Sequence, residues 1–229
     1  MDDCLLCDGG SQGAYAADYT ISTSGTPVNV NENGSPQTYN IDAPNASGWS
    51  TQAYSNQGIS YGALVSFRCN TSTYKMMGLN TDPSTDASYG SIDFAWYPHA
   101  GNNAQIYENG AYRGEFFSGY AADADTFFIH YHSDGYVRYF VTDDSTGRTY
   151  LIRTIWAGYN LTFYLDSSMY TAGSAFYDVK FMRHIGIPAT GQNGGTGNVG
   201  YTGPGGAQGA QGSQGATGAQ GVQGVAGAK

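Results

Sequence analysis

From Gly191 to Lys229 every third residue is glycine: Gly191, Gly194, Gly197, Gly200 and so on to Gly227, without a break in phase. Three polyproline II strands wound about one axis require this period, because only hydrogen fits at the crowded centre. The spacing predicts that residues 191–229 form a triple-helical or extended tail that makes the chain a homotrimer, with everything upstream a head. The competing reading is a disordered Gly/Gln/Ala linker, which has no reason to hold phase. Between the glycines Pro204 is the only proline, and Gln, Ala, Thr and Val dominate, with Lys229 the one charge. Strands so poor in proline are not pre-set, so ordering them costs more entropy. The head must then help to hold three copies together.

Composition limits what that head can be. The chain has 229 residues, 20 of them Tyr, and only 12% are charged. Few charges and many aromatics suit a β-rich protein of a virion surface or an extracellular space. A net charge of −9 argues against nucleic acid as a partner, since phosphate contacts need clustered Lys and Arg. No run of about 18 apolar residues occurs, so no membrane span is expected. The acidic opening Met1–Asp8 lacks the apolar stretch of a secretion signal. Cys4 and Cys7 have no second pair at zinc spacing, which leaves a disulfide or no special role open. Cys69 ends an alternating run and is expected as a buried free thiol.

Residues 1–45 read as an irregular arm carrying one or two strands. From Trp49 short alternating runs separated by turn clusters take over, the pattern of an all-β sandwich over 46–184 with roughly eight to twelve strands. Period two assigns the faces. Ala63, Val65, Phe67 and Cys69 share a side, as do Ile92, Phe94 and Trp96. Ile106 precedes a hairpin turn at Asn109–Gly110. Phe127, Ile129 and Tyr131 point inward, as do Val137, Tyr139 and Val141, then Leu161, Phe163 and Leu165. Ala175, Tyr177, Val179 and Phe181 form the last strand, expected to lie near Trp49. Residues 185–190 make a neck.

The order of several segments carries a resemblance: Tyr74–Pro83, Asp86–Tyr89, Ile92–Tyr97, Ile106–Gly110, Thr126–Tyr131, Asp134–Tyr139 and Ala175–Val179. Together they resemble the concanavalin-A-like, lectin-type jelly-roll modules of phage tail fibres and of fibre proteins of large DNA viruses. The tail resembles the low-proline collagen-like repeats of viral and bacterial surface proteins. The resemblance covers about 49–182. It implies a jelly-roll head, a place on a virion surface or, alternatively, a bacterial cell surface, and a role in display or in binding cell-surface glycan. It departs from the usual pattern at Ala122–Asp125 and in the longer turn after Tyr139.

Candidate chemistry is sparse. Glu32, Glu108 and Glu115 are the only glutamates, no Glu-x-Asp-x-Glu run exists, and no enzyme activity is expected. Legume-type lectins hold calcium through loop carboxylates. Asp82, Asp86, Asp123, Asp125, Asp143 and Asp144 could do so or could be solvated turn residues. His130 and His132 share one strand face and are expected to be exposed, with no third metal ligand evident. Tyr97, Tyr107, Tyr112, Tyr120, Tyr136 and Trp156 fall on outer faces or loops. Such rings stack on the C–H faces of sugars while Asn and Asp take the hydroxyls. Tyr112, Tyr120 and Trp156, with Asp123 and Asp125, are the sequence-based candidates for a glycan site. A purely structural trimerisation or decoration module is the alternative.

Overall fold

A computed structural model of the chain describes residues 15–16, 19–34 and 37–183. Cys4, Cys7, the neck and the Gly-X-Y tail lie outside the described residues. The strands in order are β1 (Tyr15–Ala16), β2 (Ile21–Ser24), β3 (Asn29–Asn33), β4 (Thr38–Ala43), β5 (Ser47–Ser55) and β6 (Ile59–Ser60). Then come β7 (Ala63–Cys69), β8 (Lys75–Asn80), β9 (Phe94–His99), β10 (Asn103–Glu108) and β11 (Ala111–Ser118). The remainder are β12 (Thr126–Tyr131), β13 (Tyr136–Asp143), β14 (Arg148–Trp156), β15 (Thr162–Thr171) and β16 (Ser174–Arg183). Among the described residues one 3-10 turn, Tyr89–Ser91, interrupts the β8–β9 connection. Among the described residues no helix is long and apolar enough to cross a membrane.

The strands form two antiparallel sheets. The first runs β14-β13-β12-β7-β16-β4-β3, with β1 also on β16; the second runs β11-β10-β9-β8-β15-β5-β2, with β6 also on β15. The chain passes from β7 to the second sheet for β8–β11, back for β12–β14, and then crosses twice more for β15 and β16. This is the all-β sandwich that the alternating runs predict, with the jelly-roll topology that the resemblance implies.

Burying one face of each sheet against the other explains the alternation. Val65, Phe67, Phe127, Ile129, Val137, Tyr139, Val179 and Phe181 from the first sheet, and Phe94, Trp96, Ile106 and Phe163 from the second, are all buried. Trp96 joins the layers: its ring meets Phe127 at 5.3 Å and Tyr139 at 5.6 Å, and Nε1 donates to the Phe128 carbonyl at 3.0 Å. Tyr131 and Phe163 pack across the sheets at 4.8 Å. At one margin Glu108 of the second sheet accepts from Arg153 of the first through both oxygens, at 2.8 and 3.0 Å, and pairs with Arg113 at 2.9 Å. Cys69 is a buried free thiol, as expected, and burial pushes it up to about 11. Beside it Lys75 is wholly buried, which lowers it to about 8; its Nζ donates to the Asn70 carbonyl and Thr73 Oγ1 at 2.6 and 2.8 Å.

Four expectations are corrected. Residues 19–43, read as part of an irregular arm, contribute three strands; Thr38–Ala43 alternates regularly in burial, with Tyr39, Ile41 and Ala43 inward. The last strand does not neighbour Trp49: β16 lies between β7 and β4, while β5, which carries Trp49, belongs to the other sheet. Within β16 the register shifts between Phe176 and Val179, and Asp178 takes a φ of 49°. This β-bulge reverses the parity, so that Phe176 joins Val179 and Phe181 inside and Tyr177 is only partly buried. Ile92 precedes β9 and is buried on the opposite side of the sheet from Phe94 and Trp96, with Met76 and Ala95.

One margin of the second sheet, β11, is irregular. β11 pairs with β10 through two register shifts, and it carries Arg113 and Glu115. At β14, one margin of the first sheet, the register slips opposite Tyr139–Phe140.

Candidate functional site

The outer face of the second sheet carries a continuous surface of aromatic rings. Period two puts Tyr97 of β9 and Tyr107 of β10 opposite the core residues Trp96 and Ile106. The same rule puts Tyr170 of β15 opposite Met169. Trp49 of β5 and Tyr74, just before β8, complete the central part. Tyr112 of β11 is the register partner of Tyr107. Rings thus come from, or flank, six neighbouring strands, and Tyr89 adds one from the 3-10 turn.

The rings touch in sequence. Centroids are 5.7 Å apart for Tyr112–Tyr107, 5.6 Å for Tyr107–Tyr97, 6.3 Å for Tyr97–Tyr74, 6.1 Å for Tyr74–Tyr170 and 5.4 Å for Tyr170–Trp49. Trp49 closes the network on Tyr97 at 5.7 Å and on Tyr89 at 4.9 Å. Nearly all pairs are tilted or edge-to-face, the arrangement the ring quadrupole favours. Beneath them Met76, Ile92 and Ala95 form a buried apolar bed. Gly78 of β8 has no room for a side chain: a Cβ would stand 1.8 Å from the Phe94 carbonyl oxygen, so β8 and β9 lie close under the platform.

Trp49, Tyr74, Tyr97 and Tyr170 enclose a shallow hollow of about 180 Å³. Tyr74, Tyr112 and Tyr170 are 41, 55 and 43% exposed, so the rings meet solvent rather than another layer. Burial raises the hydroxyls of Tyr97 and Tyr107 above the usual phenol range. A polar patch adjoins the rings: Gln105 Nε2 lies 3.1 Å from His99 Nε2 and 3.4 Å from Glu115 Oε2, and the His99 ring is 5.3 Å from Tyr97. The arrangement offers flat apolar faces with hydrogen-bonding groups beside them.

The sequence-predicted residues do not converge. Tyr112 is exposed and belongs to the platform. Tyr120, expected on the surface, is buried: the chain after β11 folds inward, the ring packs edge-on to Phe127 at 5.4 Å, and burial raises its hydroxyl. Trp156 is exposed but belongs to the other sheet, between Tyr136 at 5.1 Å and Tyr159 at 4.7 Å. Gly135, with φ 83°, lies under that indole; a Cβ there would come within 2.5 Å of it. Asp123 pairs with Arg68 at 3.4 Å. Asp125 is buried and accepts from the backbone N–H groups of Ala121 and Asp144 at 2.8 and 2.9 Å, so it fastens two turns together. Asp86 and Asp143 likewise accept from their own loops. Among the described residues no group of three or more His, Cys, Asp or Glu side chains converges as a metal site.

His130, expected to be exposed with His132, is fully buried, its ring 5.6 Å from that of His132. The reason is that the outer face of the first sheet also carries buried apolar residues, Leu64, Phe128, Phe140 and Met182. Trp49, Tyr74, Tyr89 and Tyr170 escaped the sequence reading. Extending the alternation of Phe163 and Leu165 through Met169 would have placed Tyr170 outward; Trp49, Tyr74 and Tyr89 lie where no alternating run reaches.

No protein-family model matches the chain, and no curated protein matches it. Among solved structures the chain is similar to the legume lectin-like domain from Entamoeba histolytica, with a TM-score of 0.49 and 12% identity over 71% of this chain and 88% of that one. It is similar to the VIP36 exoplasmic/lumenal domain in its Ca2+/Man3GlcNAc-bound form, with a TM-score of 0.49 and 7% identity over 75% and 86%. It is also similar to the TRIM65 PSpry domain, with a TM-score of 0.45 and 10% identity over 67% and 90%.

Proposed function

We propose that the chain is a non-catalytic glycan-binding protein whose contact surface is the aromatic platform of the second sheet. The observation that carries this reading is the row of rings across six neighbouring strands, half open to solvent, with His99, Gln105 and Glu115 alongside. Adjacent strands lie about 4.8 Å apart, so a chain of pyranoses laid across them meets a stacking face at short, regular intervals. The Gly-X-Y tail supports the finer reading of a fibre protein at a virion surface, in which a trimeric stalk presents three such heads. Weak single contacts then gain avidity. Calcium and Man3GlcNAc are bound in the VIP36 structure, which makes calcium-supplemented buffer the condition to include.

The test is retention of the full chain on neutral linear polysaccharides by affinity electrophoresis, together with a broad glycan array. The unaltered protein is expected to be retarded, and Trp49→Ala to lose most of that retardation with its thermal midpoint little changed. Tyr170→Ala, on the exposed side of the hollow, serves as the second variant. Absence of binding across the array with calcium present, or retardation of both variants equal to that of the unaltered protein, would overturn the reading.

A further inference from the structure

A second depression lies on the same sheet face and shares no residue with the platform. It is a cleft of about 470 Å³ lined by Tyr54, Ser55, Asn56, Thr81, Asp82, Pro83, Ser84 and Tyr164. That volume falls within the range of small-molecule sites, about 300–1,000 Å³. Tyr54 of β5 and Tyr164 of β15 face outward from neighbouring strands and are partly buried. The loop after β8 and the turn after β5 supply the rest.

The rim is fastened from behind. Asn56 Nδ2 donates to Thr20 Oγ1 and its Oδ1 accepts from Ser22 Oγ, at 2.8 and 2.7 Å. Thr81 donates through both N–H and hydroxyl to Asp93 Oδ2, at 2.9 and 2.8 Å. The Asp82 N–H donates to Asn80 Oδ1 at 3.2 Å, and the Pro83 carbonyl accepts from Gln52 Nε2 at 2.6 Å. By contrast, among the described residues, the Asp82 carboxylate, the Ser84 hydroxyl and the hydroxyls of Tyr54 and Tyr164 make no hydrogen bond or ion pair. The cleft thus has a rigid frame, two phenol rings and a set of unspent polar groups.

We infer that this cleft is a separate site for one neutral saccharide residue. A pyranose has an apolar face to set against a tyrosine ring and vicinal hydroxyls that donate to a carboxylate. The phenol and serine hydroxyls can donate to the ring oxygen and serve the remaining sugar hydroxyls as donor or acceptor. No Lys, Arg or His lines the cleft, and its one charge is negative. Uronates, sialic acids and phosphosugars are therefore repelled, whereas neutral hexoses and N-acetylhexosamines are admitted.

The experiment is saturation-transfer NMR and calorimetric titration of the full chain with glucose, galactose, mannose, N-acetylglucosamine and glucuronate. Variants are Asp82→Asn, Tyr164→Ala and, as the platform control, Trp49→Ala. At least one neutral sugar is expected to bind, and glucuronate to bind at least tenfold more weakly. Asp82→Asn is expected to weaken the neutral sugar about tenfold, the cost of losing a hydrogen bond to a charged acceptor. Trp49→Ala should leave that affinity unchanged. Binding unaltered in both cleft variants, glucuronate binding as tight as glucose, or no neutral-sugar signal from the unaltered chain would each overturn the inference. Polysaccharide retardation that survives Asp82→Asn and Tyr164→Ala while monosaccharide binding is absent would sink the cleft and leave the platform standing. Monosaccharide binding without polysaccharide retardation would do the reverse.

Discussion

Asp166 of β15 is buried under the loop that separates the platform from the cleft. Its Oδ1 accepts from Gln52 Nε2 at 2.8 Å and from the Ser167 N–H at 2.7 Å, and its Oδ2 accepts from Asn80 Nδ2 at 2.7 Å. Burial pushes the carboxyl from 3.8 up to about 7, and the three donors pull it back without cancelling that effect. Between about pH 4 and 7 the folded protein therefore holds a proton that the unfolded chain has released. Stability must fall as pH rises through that window and level off above about 7. At 1.36 kcal/mol per unit the whole swing is roughly 4 kcal/mol. Asp166→Asn removes the titration. The amide keeps an oxygen for Gln52 and Ser167 but sets Nδ2 against the Asn80 donor, a loss of about 1–2 kcal/mol. The variant should thus be less stable than the parent near pH 4 and more stable, by about 2 kcal/mol, near pH 8. Urea unfolding followed by tryptophan fluorescence across this range measures both curves, and the difference between them isolates Asp166 from other titrating groups. Parallel curves, or a variant still weaker near pH 8, would refute the argument.

Phe163→Ala should cost about 3–5 kcal/mol, because the ring is wholly buried and packs on Phe94 at 5.8 Å and on Tyr131; equilibrium unfolding gives the value, and a loss under 1 kcal/mol would show that the site relaxes. The full chain should sediment as a trimer at micromolar concentration, and Gly209→Ala should lower the melting of the tail without moving that of the head; a monomer would remove the stalk from the proposed function.

Legibility in the sequence followed the physics of alternation. At Val65–Phe67, Phe127–Ile129 and Val137–Val141, period two identified the residues that face the core between the sheets. It failed at Asp178, where one inserted residue reverses the faces and Tyr-Asp-Val gives no warning. It failed for His130, because the outer face of the first sheet is itself buried there, so facing away from the core did not mean facing water. Tyr120 was misplaced because a loop aromatic has no period to read. The signal for β4 was present in Thr-Tyr-Asn-Ile-Asp-Ala but was obscured by the polar stretch around it. The platform was half visible: Tyr97, Tyr107 and Tyr112 were placed on outer faces or loops. Their union with Trp49, Tyr74 and Tyr170 depends on which strands become neighbours, and that is a tertiary fact.

Two irregular margins of the sandwich, β11 and β14, bear on how copies of this protein behave when crowded. An open, regular strand offers its unpaired N–H and C=O groups to any like strand that drifts alongside. Here β11 is kinked by two register slips and presents Arg113 and Glu115, and β14 slips register opposite Tyr139–Phe140 and carries Arg148. Neither of these two margins can serve as a straight template. The opposite margins, β2 and β3, keep regular register but are only four and five residues long. Heads held close together should therefore not zip into one extended ribbon through β11 or β14.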